Sequence, residues 1–167
     1  MKNLVLIGMP GSGKSTIGHL LSQQLNMKFI DMDDYIEEME GKSIKELFGV
    51  SEDCFRDAET RCSLALSNMD QIVVAAGGGI IKRKENIDYL KRNSLIIFIN
   101  RPVENILTDI DYEVRPLLSD GKERLYALYD ERIHLYKEYC DLEIDNSGTM
   151  QETLNKIIGI FLCDNHK

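Results

Sequence analysis

Residues 8–16 read Gly8-Met9-Pro10-Gly11-Ser12-Gly13-Lys14-Ser15-Thr16, which satisfies G-x-x-x-x-G-K-[ST], and they follow the apolar run Leu4-Val5-Leu6-Ile7. Between a buried strand and a helix, such glycines let the backbone curl so that several N–H groups point inward, and the helix start adds its positive dipole end. The pattern describes a cradle for a nucleoside triphosphate, in which Lys14 reaches the outer phosphates and Ser15 coordinates magnesium. A plain connecting turn would also be glycine-rich. Here the strand before the loop and the amphipathic run Ile17 to Leu25 after it supply the context that the phosphate loop requires.

The 167 residues suit one domain, since domains commonly run about 100 to 200 residues. Asp and Glu total 28 against 20 Lys and Arg, a net charge of -8, which argues against nucleic acid or an anionic membrane as partner. Anionic ligands must then be held by a few placed cations. The apolar N-terminal run is too short for a membrane span and has no signal-peptide cleavage pattern, so a cytoplasmic location is expected. Cys54, Cys62, Cys140 and Cys163 show neither C-x-x-C pairing nor metal-ligand spacing with His19, His134 or His166, and are read as reduced structural residues.

Apolar runs recur at Leu4 to Ile7, Ile72 to Ala76 and Leu95 to Ile99, with weaker ones at Lys28 to Ile30 and Leu142 to Ile144. Helical patterns separate them, so the expected fold is a three-layer α/β/α arrangement around a five-stranded parallel sheet. Ser43-Ile44-Lys45-Glu46 reads as a capping box and Ser51 as a second helix start. Pro102 fits the first turn of a helix, Glu123 to Glu138 is a helical run, and a last helix is expected from about Gln151 to Phe161.

Ligands of open parallel sheets bind beyond the carboxyl ends of the strands. Asp31-Met32-Asp33-Asp34 follows the second strand and Gly77-Gly78-Gly79 the third. If the chain stays extended, Asp31 and Asp33 lean to the same side, one serving magnesium and the other a hydroxyl, while Asp34 is the best cap for a helix starting near Tyr35. The glycines either form a turn or let backbone N–H groups touch a ligand. Arg56 is either a surface partner of Asp53 or Glu59 or a ligand-binding cation, and Arg132 could be one more member of a charged helix face. Arg115-Pro116-Leu117-Leu118 falls in a polar segment, Thr108 to Lys122, that reads as a mobile lid able to lay Arg115 on the phosphates.

The ordered set G-x-x-G-x-G-K-S-T, D-M-D, F-R, G-G-G, R-P-L and E-R-x-x-L-Y resembles the shikimate kinase family, a phosphate-loop small-molecule kinase family with a nucleoside-monophosphate-kinase-like fold, over nearly the whole chain. The resemblance implies transfer of the γ-phosphoryl group of MgATP to the 3-hydroxyl of shikimate, on the path to chorismate and the aromatic amino acids. By position it implies that Gly11, Ser12, Gly13, Lys14, Ser15 and Thr16 hold ATP, that Ser15 binds Mg2+ with Asp31 assisting through water, and that Arg115 is the lid arginine. Asp33 would bind the shikimate ring hydroxyls, Gly78 and Gly79 would face the ring, and Arg56 with Arg132 would clamp its carboxylate, a task suited to planar guanidinium forks. Lys14, Asp33 and Arg115 would then be the catalytic set. The implied organisation is a single domain, with a core of 1–107 and 123–167, a lid at about 108–122 and a substrate-binding helical region at about 32–62, working as a monomer.

There is one departure from the family pattern. Thr108, with Asp109 and Asp111 nearby, stands where the family often has an arginine that stacks on adenine, so the base is expected to rest around Asn146 to Thr149 with looser nucleotide selectivity. Competing readings are a kinase of the same architecture acting on gluconate, a nucleoside monophosphate or an antibiotic hydroxyl, and a nucleotide-dependent switch. The switch would need a guanine-reading N-K-x-D, which the sequence lacks.

Overall fold

The computed structural model describes residues 2–109 and 119–165. Among them, five strands form one parallel sheet in the order β2-β3-β1-β4-β5. The strands are β1 (Asn3–Ile7), β2 (Lys28–Asp31), β3 (Ile72–Ala75), β4 (Ser94–Asn100) and β5 (Leu142–Asp145). The helices are α1 (Lys14–Leu25), α2 (Met32–Glu40), α3 (Ile44–Val50), α4 (Glu52–Leu66), α5 (Lys84–Leu90), α6 (Val103–Asp109), α7 (Ser119–Tyr139) and α8 (Met150–Asn165), and a 3-10 turn spans Ile80–Lys82.

Strand β1 is the axis. It pairs with β3 through Leu4↔Val73 and Leu6↔Ala75, and with β4 through Asn3↔Ser94 and Ile7↔Phe98. The chain first builds to one side of β1 and then crosses to the other, which brings five carboxyl-terminal loops to one rim of the sheet. Alternate side chains of β1 enter different cores. Val5 and Ile7 join Val74, Ile96, Phe98, Phe55 and Tyr136 on one face, while Leu4 and Leu6 join Ile17, Leu21, Ile97, Ile157 and Phe161 on the other. Burial on both sides is the reason that β1, β3 and β4 read as apolar runs, each such side chain contributing about 1.5–3 kcal/mol, whereas the edge strands β2 and β5 each bury one residue and read more weakly.

Helix starts follow local chemistry. Ser43 caps α3 in the expected box: its hydroxyl accepts from Glu46 N at 3.2 Å, and Glu46 Oε2 accepts from Ser43 N at 2.7 Å. Ser51 caps α4 by accepting from Cys54 N at 3.0 Å. The expectation for α2 is corrected. It starts at Met32, with Asp31 rather than Asp34 as its cap, because Asp31 ends β2 in extended backbone and its Oδ1 accepts from Asp33 N at 3.1 Å. The extended continuation that would align Asp31 with Asp33 is therefore absent, and Asp33 sits in the first helical turn.

Helix α6 runs to Asp109 and α7 begins at Ser119, so both intrude on the segment 108–122 expected as a lid. Arg115, Asp111 and the Arg-Pro-Leu-Leu stretch lie outside the described residues. The four cysteines are free thiols as expected, but Cys163 is exposed and has no structural role in the core, unlike buried Cys62. No described helix is long and apolar enough to cross a membrane.

Replacing Ser43 with alanine should remove the α3 cap and cost about 1 kcal/mol. Urea unfolding followed by circular dichroism measures this, and an unchanged midpoint would show that the cap contributes nothing.

Candidate active site

The loop after β1 takes three left-handed glycines, Gly8 at φ 147°, Gly11 at 77° and Gly13 at 94°. Gly8 also passes so close to β4 that a Cβ there would lie 2.6 Å from Ile99 O. Gly13 is the residue before α1, which has neither a side-chain cap nor an acid in its first turn. The first amides of this 12-residue helix therefore remain available to an anion.

Lys14 is folded back over the loop, its Nζ donating to Met9 O at 2.8 Å and Gly8 O at 3.0 Å. Burial lowers its pKa to about 8, against the opposing pull of the Asp33 and Asp31 carboxylates. Ser15 Oγ donates to Asp31 Oδ2 at 2.7 Å. The loop is tied to the far edge of the sheet by Asn146, which follows β5: its Nδ2 donates to Ser12 O at 3.0 Å, and its Oδ1 accepts from Thr153 at 2.9 Å.

A cleft of about 450 Å³ opens over the loop. Gly11, Gly13, Lys14, Ser15 and Thr16 line one end, and Arg101, Asp109, Asn146, Gly148 and Met150 the other. Of the segment 146–149 expected to carry a base, Asn146 and Gly148 reach the cleft; Thr108 does not line it. The sequence reading missed Arg101. Its Nη1 donates to Gly11 O at 3.2 Å and its Nη2 pairs with Asp109 at 2.6 Å. Arg101 directly follows β4, so attention to every strand end would have found it.

A second, charged corner of the site is built where Asp33, Glu59 and Arg56 pack against the Gly77–Gly79 run. Asp33 opens to solvent there yet is crowded by protein, and loss of hydration, then the Asp31 carboxylate, push its pKa up. Arg56 is not the surface residue of the simpler reading: it is 8% exposed. Its Nη1 donates to the buried Glu59 at 2.6 Å and its Nη2 to Glu52 at 3.2 Å. Phe55 and Phe48 lie against the guanidinium, 5.1 and 5.9 Å from ring centroid to Cζ. Burial pushes the Glu59 carboxyl up, and Arg56 opposes that shift.

The glycine run makes this close packing possible by lacking side chains. A Cβ on Gly79 would strike the Arg56 guanidinium, one on Gly78 would lie 2.9 Å from Pro10 Cδ, and one on Gly77 would lie 3.1 Å from Asp33 Oδ1. None of the three needs a left-handed backbone. Arg132, on α7, is 9% exposed, so it is not a member of a solvated helix face. Its buried Nε has no hydrogen-bond partner.

A five-stranded parallel sheet with a phosphate loop after its first strand and an adjoining charged corner defines a phosphate-loop small-molecule kinase with a nucleoside-monophosphate-kinase-like fold. Residues 10–161 match the family model described as shikimate kinase. A shikimate kinase of Clostridium botulinum (strain Alaska E43 / Type E3) is 51% identical over 97% of this chain and 99% of its own length. One from Clostridium beijerinckii is 48% identical over 97% and 96%. Among solved structures, shikimate kinase from Acinetobacter baumannii in complex with shikimate superposes with a TM-score of 0.87 at 31% identity, covering 100% of this chain and 96% of that one. This chain belongs to the shikimate kinase family.

The position of Lys14 leads to a pH dependence. Below about 8 its ammonium is already charged, whereas above that value a nucleotide must recruit a proton to engage it. ADP affinity measured by calorimetry should therefore fall as pH rises through this value, by at most about tenfold per pH unit. An affinity independent of pH there would show that Lys14 does not meet the phosphates.

Proposed function

We propose that this chain transfers the γ-phosphoryl group of MgATP to the 3-hydroxyl of shikimate, giving shikimate 3-phosphate and ADP. The observation that carries this reading is an uncapped helix terminus at the sheet rim in a chain that also keeps two arginines nearly buried, Arg56 against the Gly77–Gly79 run and Arg132 on α7. In a chain of net charge -8, cations held out of water mark places where anions belong, and a guanidinium grips a carboxylate best. The family membership supports ATP as donor and a small-molecule acceptor.

Gly11 to Thr16 hold the phosphates with backbone N–H groups, and Lys14 exchanges its loop carbonyls for the outer phosphate oxygens. The cleft end walled by Arg101, Asn146, Gly148 and Met150 takes the nucleoside. Ser15 and Asp31 are hard oxygen donors already in contact beside the loop, which fits Mg2+ held through few protein ligands and completed by phosphates. When bound, the ion neutralises charge on the phosphate oxygens.

On the acceptor side Arg56 and Arg132 grip the carboxylate, Gly78 and Gly79 pass close to the ring, and Asp33 orients the hydroxyl. The transition state of phosphoryl transfer is loose, so positioning matters more than a strong base. The upward shift of Asp33 nonetheless suits a group that accepts the proton late. Arg115 is proposed from sequence position as the lid arginine that covers the transferring phosphoryl group. A monomer working in the cytoplasm belongs to the same proposal.

ADP formation from MgATP with and without shikimate tests the proposal directly. Strong dependence on shikimate is expected, and turnover that prefers gluconate or a nucleoside monophosphate would replace this reading with a related kinase. Asp33→Asn, Arg56→Ala and Arg132→Ala should each lower kcat/KM for shikimate by about 100-fold or more, about 2.7 kcal/mol, while the fold persists. Lys14→Ala should lower kcat itself. Near-native turnover in all three acceptor-side variants would remove the site assignment.

A further inference from the structure

The mechanism above leaves one buried polar group without a task. Tyr136 is fully buried on α7, its ring stacked on Phe98 with centroids 5.0 Å apart, and the ring alone would satisfy that packing. Its hydroxyl nevertheless donates to Gly78 O at 2.6 Å, and Arg132, one turn earlier on the same face of α7, lies close enough for its charge to favour the ionised phenol against the effect of burial. A phenol has one proton to give, so once Gly78 takes it the oxygen can only accept, and a guanidinium is a donor in every direction. Arg132 Nε is buried without a partner, and the carboxylate of Glu131 lies 4.0 Å from it. Toward this guanidinium the phenol oxygen can therefore only accept, and the buried Nε–H is left without a partner.

The same hydroxyl pins the glycine run. Gly79, the residue after the one that Tyr136 holds, packs its Cα against the Arg56 guanidinium, which Glu59 and Glu52 fix from behind. The hydroxyl that holds the backbone behind Arg56, a residue of α4, thus sits one helical turn from Arg132 on α7.

We propose that Tyr136 is a positioning residue that sets Arg132, and the glycine run behind Arg56, at the spacing that one carboxylate can bridge. This rests on the acceptor reading above and adds to it the residue that holds the two arginines in register.

Tyr136→Phe keeps the ring and its stacking and removes only the oxygen. The expected result is a rise of about tenfold in KM for shikimate, with kcat and KM for ATP changed less than about twofold. Ile157→Val, in the core of the opposite face, serves as a stability control that lowers Tm without moving KM. A second readout needs no acceptor: in side-chain NMR of 15N-labelled arginine, the Nε–Hε signals of both Arg132 and Arg56 should shift in Tyr136→Phe. Native KM for shikimate in the variant, a KM for ATP that rises in step, or arginine signals that stay in place would each overturn the proposal. If native protein fails to bind shikimate while the signals still shift, the acceptor reading falls and the positioning role stands.

Discussion

The site is organised around an ammonium group that protein has taken out of water. Lys14 can be nearly buried because the glycine loop turns two of its carbonyls inward to receive the side chain, Met9 O at 2.8 Å and Gly8 O at 3.0 Å. Those carbonyls are in place only because Gly8, Gly11 and Gly13 adopt backbone angles that other residues resist. The loop in turn is placed by β1, whose five residues are all buried between two cores. Sheet, loop and cation form one chain of dependence, and loosening any member would let water reach Lys14 and restore its ordinary basicity.

The acceptor corner solves a similar problem with acids. An unpaired guanidinium in the interior costs several kcal/mol, so Arg56 is supported by Glu59 at 2.6 Å, by Glu52 at 3.2 Å and by two aromatic faces. Arg132 is treated differently. Its Nε is left without a partner, which costs stability and makes sense where a ligand anion is expected to complete the arrangement. In the proposed clamp Arg56 would be the fixed half and Arg132 the half whose Nε awaits a partner.

Much of this could be read from the residues alone, and the exceptions have physical causes. Strands of β/α units show because two-sided burial demands unbroken apolar runs, and the Ser43 box shows because both of its partners lie within four residues. The cap of α2 was misplaced because three consecutive-range acids, Asp31, Asp33 and Asp34, offer the same chemistry, and only the point where β2 ends selects Asp31. The glycine run was legible as a close approach but not in its cause. The approaching groups are Pro10, Asp33 and Arg56, which are distant in sequence. Burial of Arg56 and Arg132 was equally hidden, since a charged residue on a helix is usually solvated and only tertiary packing shows otherwise. Arg101 escaped because its partners, Gly11 and Asp109, come from separate elements.

The two halves of the site are not electrically independent, and Asp33 is where they meet. Its carboxylate feels Asp31, which raises its proton affinity, and Lys14, which lowers it, while Glu59 in the acceptor corner feels Asp33 in turn. Phosphates that engage Lys14 would offset the positive charge now restraining Asp33. The Mg2+ proposed beside Asp31 would act in the opposite sense, since it masks the carboxylate that now raises the proton affinity of Asp33. The readiness of Asp33 to take a proton in the loaded enzyme is therefore set by the balance between bound phosphate and bound metal, through field alone and with no movement of backbone.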